Sequence, residues 1–99
     1  MGTLTKDLPL ESVDADFGDG PMVVYYRKMN LYEMDLIHAK RDSMAQTIVE
    51  TLFQRARDEQ GHRLWRTPAD REMIERQFDS DEVIRVVGAM NGAGDAAGN

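Results

Sequence analysis

The sequence has no cysteine. Disulfide stapling, thiol nucleophiles and thiolate-based zinc sites are therefore excluded, and the composition suits a reducing compartment. Histidine is nearly as scarce. His38 and His62 stand 24 residues apart, and neither has a second ligand at metal-binding spacing. Aromatic residues make up 7% of the chain, with a single tryptophan, Trp65, to anchor a core or an interface. Excess positive charge is missing as well. Eighteen acidic residues against 12 basic ones leave a net charge of −6, the wrong sign for general nucleic-acid binding. No apolar run approaches the roughly 20 residues that span a bilayer, and the N-terminus lacks the basic, apolar, small-residue succession of a secretory leader. Met1-Gly2 opens like a myristoylation signal, but Lys6 stands where Ser or Thr is required. These absences point to a soluble intracellular protein with no membrane partner.

What is present fits one small domain. The chain has 99 residues, 41% of them apolar and 30% charged, enough for a modest core and modest stability. Residues 1–11 read as a flexible acidic N-terminus, 12–92 as the folded domain and 93–99 as a flexible Gly/Ala-rich tail. From Ser12 to Phe17, the apolar residues Val13, Ala15 and Phe17 alternate with polar ones. Gly18-Asp19-Gly20-Pro21 is a turn signal, and Met22 to Arg27 is β-branched and aromatic. Together they predict a β-hairpin.

Helices follow. Asn30 and Glu33 form a capping-box pattern ahead of Leu31, Met34, Leu36, Ile37 and Ala39, the expected buried side of a short helix. Arg41-Asp42-Ser43 breaks it. Ser43 with Gln46 repeats the capping pattern. Met44, Ile48, Leu52 and the Arg55 stem, together with Ala45, Val49, Phe53 and Ala56, then form a wide apolar stripe. Gly61 is placed as the left-handed C′ residue that ends this helix. Thr67-Pro68-Ala69-Asp70 starts a third helix running to about Phe78, with Met73 and Ile74 apolar. Ser80-Asp81-Glu82 starts a fourth, carrying Val83, Ile84, Val86, Val87 and Met90 and closing at Asn91-Gly92. The expected fold class is α+β: an N-terminal β-hairpin followed by about four short α-helices.

Catalytic constellations fail one by one. Asp14, Asp16 and Asp19 do not make a calcium loop: Asp19 stands at the position that needs glycine, and Tyr25 where the bidentate glutamate belongs. Asp16-Phe17-Gly18 matches a kinase tripeptide without a glycine-rich loop, strand lysine or catalytic loop. The glycines build no phosphate-cradling loop before a helix. Asp79, Asp81 and Glu82 sit at a helix start, where the macrodipole favours negative charge without any catalytic role. Arg55, Arg57, Arg63, Arg66, Arg71 and Arg76 are interspersed with acids and read as a solvated mixed-charge face. The chain therefore reads as a protein-binding module without cofactor or metal, not an enzyme.

The segment Arg57-Asp58-Glu59-Gln60-Gly61-His62-Arg63-Leu64-Trp65 carries a resemblance. It is similar to the aspartate–acidic–x–glycine–x–x–leucine–aromatic stretch of the tail assembly chaperones of long-tailed bacteriophages and prophages. The strand Val23-Val24-Tyr25-Tyr26-Arg27-Lys28-Met29 ahead of a helix and the closing Met90-Asn91-Gly92 also resemble that family, so the likeness spans residues 12 to 92. Two departures stand out: Trp65 replaces the usual Phe, and an Arg-rich stretch precedes Asp58 where relatives often look like a strand. The resemblance implies a non-catalytic assembly factor of the host cell cytoplasm that is absent from the mature virion. It implies binding of the tape measure protein, a long and largely helical chain, and recruitment of tail tube protein. Many relatives also have a longer frameshifted form, with which the 93–99 tail is compatible. A structural tail or connector subunit and a small bacterial protein-binding adaptor are the competing readings. The family offers no assigned contact residues, so the candidates come from side-chain chemistry: Tyr25, Tyr26, Leu64 and Trp65, with Ile48, Leu52 and Phe53 as a helical stripe for a partner helix. Adaptable apolar surface on a small core also favours homo-oligomerisation.

Overall fold

A computed structural model of the chain describes residues 9–39 and 43–92. Of the expected flexible N-terminus at 1–11, residues 1–8 lie outside the described residues, as do the 93–99 tail and Arg41 and Asp42 of the helix break, whereas Glu11 already belongs to the first strand. Six elements follow in order: β1 (Glu11–Ala15), β2 (Met22–Tyr26), α1 (Leu31–His38), α2 (Met44–Arg55), α3 (Pro68–Gln77) and α4 (Ser80–Met90). The fold is α+β, a two-stranded antiparallel hairpin followed by four helices.

The hairpin register pairs Val13 with Val24 and Ala15 with Met22. The period of two sends Ala15, Val24 and Tyr26 inward and leaves Val23 exposed. Asp16 closes the turn: its Oδ1 accepts N–H groups from Gly18 at 2.9 Å and Gly20 at 3.2 Å. That is the local job of a carboxylate which sequence alone could have matched to calcium. Helix α4 is tied to the hairpin. Asp79 N–H donates to the Phe17 carbonyl at 3.1 Å. Asp16 N–H donates to Glu82 at 2.8 Å, and the Arg85 guanidinium donates to the Asp14 carbonyl at 2.5 Å.

Helix α2 is the central element, in contact with α1, α3 and α4. Leu52 is fully buried in it, as are Val24 on the hairpin and Val86 on α4. The helix starts are local. Asn30 and Glu33 form the reciprocal capping box, and so do Thr67 and Asp70, with Pro68 in the first turn. Ser43 caps Gln46 N–H, but the Gln46 side chain does not return the bond. It instead joins Arg71 and Glu75 on α3.

Three expectations need correction. Helix α2 stops at Arg55 rather than near Gly61. Ala56 turns extended, and Arg57 exchanges both backbone hydrogen bonds with Tyr25, at 2.8 and 3.0 Å. The edge of β2 needs a backbone partner, and that need outcompetes another helical turn. On α1 the expected apolar side is mostly open: Leu31 is 80% exposed and Ala39 is also exposed, while Ile37 is buried. A two-turn helix packed mainly on α2 can bury only a narrow stripe. Part of that stripe is Glu33, whose carboxylate caps Asn30 and pairs with Arg57 at 3.1 Å. Finally, the arginines are not a uniformly solvated face. Arg55 is buried, Arg57 pairs with Glu33, Arg63 lies over the Phe53 ring at 4.7 Å, and Arg71 meets buried Glu50 at 2.8 Å. Arg66 and Arg76 stay exposed.

Candidate partner-binding surface

The segment Arg57–Trp65 is a built loop. Asp58 N–H donates to the His62 carbonyl at 2.8 Å, and Gly61 N–H donates to the Asp58 carbonyl at 2.9 Å. The Asp58 carboxylate accepts N–H groups from Gln60 and His62, both at 2.9 Å. Those backbone donors, His62 first, hold its pKa below the ordinary carboxylate value. Gly61 has φ +88°, a left-handed conformation, within this turn and not at a helix end. A Cβ there would come within 2.5 Å of the Arg27 guanidinium. The loop thus serves to aim the residues that follow it. Leu64 N–H donates to the Ala56 carbonyl at 3.0 Å. Trp65 then turns inward, edge-on to Phe17 at 6.0 Å and to Phe78 at 5.3 Å, while Phe17 and Phe78 stack at 4.7 Å.

Of the seven candidate contact residues, four belong to the core. Leu52 is fully buried, and Tyr26, Phe53 and Trp65 are nearly so. The Tyr26 hydroxyl donates to the Ala89 carbonyl at 3.4 Å. A partner would reach these four only by opening the fold. Tyr25, Leu64 and Ile48 are half-buried, and they are not brought together. Tyr25 and Leu64 flank the loop. Ile48 lines a separate apolar groove.

That groove lies between α2, α3 and α4 and has a volume of about 390 Å³. Its floor is Ile48, Val49, Ile74 and Val83, and its rim carries Met44, Phe78 and Ile84. Met44 is 80% exposed and Ile84 52%. Glu75 supplies a single carboxylate at the edge. Its walls are held apart at a set distance by polar pairs between α2 and α3. Arg71 donates from Nε to Glu50 at 2.8 Å and from Nη2 to Gln46 at 2.8 Å, and Gln46 donates to Glu75 at 2.7 Å. Helical spacing had placed Met44 and Ile84 in the core stripes. Met44 is the first residue of α2, where a helix start leaves it open, whereas Ile84 lies within α4 on the side that no neighbouring element covers.

A second cavity, of about 580 Å³, is more polar and opens beside the C-terminal ends of α1, α2 and α4, with Arg55 among its walls. Among the described residues, no group of three His, Asp or Glu side chains could hold a metal ion. Likewise, no described helix is long and apolar enough to cross a membrane. The chain matches no protein-family model, no curated protein and no solved structure.

Proposed function

We propose that the chain is a non-catalytic phage tail assembly chaperone that seats a helix of the tape measure protein in the groove between α2, α3 and α4. In this reading it acts in the host cytoplasm during tail morphogenesis, recruits tail tube subunits and does not stay in the virion. The groove carries the reading. Met44 and Ile84 stand uncovered around a concave, helix-lined channel, the form that receives an amphipathic helix, whereas the exposed Leu31 and Tyr32 of α1 line no such channel. Covering Met44 would contribute up to about 1.5–3 kcal/mol, and covering Ile84, already half-buried, about half as much. The strand-like pairing of Arg57 with Tyr25 adds support. Members of that family often have a strand just before the aspartate–glycine–leucine–aromatic segment, and this isolated bridge at Arg57 narrows the departure of the Arg-rich stretch.

Co-expression with tape measure fragments tests the reading. The expected result is co-purification of a helical fragment, lost in Ile84→Gln and Met44→Gln variants that fold normally. Failure to retain any tape measure fragment would sink it. Mass spectrometry of purified virions separates chaperone from connector, because a stoichiometric signal belongs to a structural subunit. A gene lying outside the interval between the tail tube and tape measure genes would favour the bacterial adaptor.

A further inference from the structure

Arg55 is the last residue of α2 and is 3% exposed. Its Nη1 donates to the Asn91 side-chain oxygen and its Nη2 to the Arg27 carbonyl, both at 2.9 Å, and the guanidinium lies 5.9 Å from the centre of the Tyr26 ring. These partners are neutral. Nε, itself sealed from solvent, has no acceptor, and among the described residues no carboxylate lies within ion-pair distance of this cation, although Glu33 and then Glu11 act on it favourably from further off. Burial pulls its pKa below the ordinary guanidinium value. A buried charge with no directly paired anion is costly, and the usual remedy is an anion in hydrogen-bond contact. Arg63 shares the unpartnered Nε but lines neither cavity and rests on an aromatic face. Arg55 differs because a cavity of about 580 Å³ meets it, within the size range of small-ligand sites.

The cavity walls specify the anion. Thr51 offers a hydroxyl, while Met29, Ile37 and Met90 are apolar. Lys28 adds one positive charge, and Glu11 adds one negative charge that opposes a multiply charged ligand. One buried fork, one further cation and an apolar wall suit a single carboxylate on an apolar stem better than a phosphate.

We propose that this cavity binds an organic carboxylate, free or borne by a glutamate in a peptide, through the Arg55 guanidinium. The site is independent of what the α2–α3–α4 groove holds. Sodium hexanoate and an acetylated, amidated glutamyl-leucine dipeptide serve as probes, with inorganic phosphate and sodium chloride at matched ionic strength as controls. The full chain is observed by ¹⁵N NMR, reading the Arg55 Nε–H, the Asn91 side-chain amide and the Thr51 amide. The expected result is a saturable shift of these three signals with hexanoate or the dipeptide, the tighter of the two identifying the source. Arg55→Lys should lose the response. Because Arg55 also ties α2 to Arg27 and Asn91, the second variant is Lys28→Glu, at an exposed position, which should weaken binding about tenfold while leaving the fold intact. Absence of saturation with both probes overturns the site. So does an equal response to phosphate or chloride, or an unchanged affinity in Lys28→Glu.

Discussion

Two apolar clusters meet at Phe78, and they have opposite fates. On one side, Phe17 and Trp65 close around its ring, at 4% and 9% exposure. On the other, Met44, Ile48 and Ile84 share a groove wall with it and stay open to solvent. Both sets consist of large apolar side chains on or beside helices, so composition does not separate them. What separates them is what stands opposite. The first cluster lies where the hairpin, the Arg57–Trp65 loop and α3 converge. The second lines the groove between α2, α3 and α4, which no described element covers. A closed apolar cluster stabilises the fold, whereas an open one contributes little until another surface covers it.

Trp65→Ala should be the largest perturbation of this contrast. Removing a buried indole that meets the stacked Phe17–Phe78 pair edge-on is expected to cost about 3–5 kcal/mol. That is a large share of the stability of a domain this small. Urea denaturation of the variant should show a strongly lowered midpoint or no folded baseline. An unchanged midpoint would mean that the aromatic cluster is not the anchor.

Gly61→Ala should rank next. The left-handed backbone at this position disfavours any Cβ by about 1–2 kcal/mol, whatever the Arg27 side chain does to make room. The same denaturation series reads it. A neutral result would show that the loop can relax without misplacing Trp65.

Acid should weaken the closed side next. The Glu82 carboxyl is pushed down to about 2 from an ordinary 4.5, by the Arg85 guanidinium first and then by the Asp16 N–H. Asp58 and Asp70 shift in the same direction, through backbone N–H donors from His62 and Arg66. A depressed folded-state pKa adds stability that is present above the unfolded value and lost as pH falls through the folded one. Thermal midpoints should therefore fall between about pH 4.5 and 2, and Glu82→Gln should make that decline shallower. A decline of the same depth in the variant would remove Glu82 from the account.

The smallest expected effect on stability belongs to the open side. Met44→Gln and Ile84→Gln replace exposed side chains on helices with another helix former, so each should stay within about 0.5 kcal/mol of the parent chain. Both should nonetheless abolish retention of a tape measure fragment. A large loss of stability in either would show that the groove is part of the core after all.

Much of the architecture was legible because its signals are local. Caps at Asn30, Ser43 and Thr67 act within one turn, as does the Pro68 start. The alternation of Val13, Ala15 and Phe17 acts within one strand. The α2 end was not legible, because the competitor for Arg57 is Tyr25, more than thirty positions earlier in the chain. The candidate site was legible only at Ile48. Leu52 and Phe53 share its helix, but the packing of α2 against α1, α3 and α4 turns them inward. Met44 and Ile84 were read as core because periodicity reports which face is apolar and says nothing about whether that face is covered.

By itself, then, the order of residues determined where helices and strands begin, how the hairpin alternates and that Trp65 follows a turn requiring glycine. Those features depend on backbone sterics and hydrogen bonds among near neighbours. Only the tertiary structure decided which apolar face closes and which stays open, and that Arg55 is buried with no ion pair among the described residues. Burial and electrostatic pairing are set by distant segments meeting in space, and no local pattern encodes that meeting.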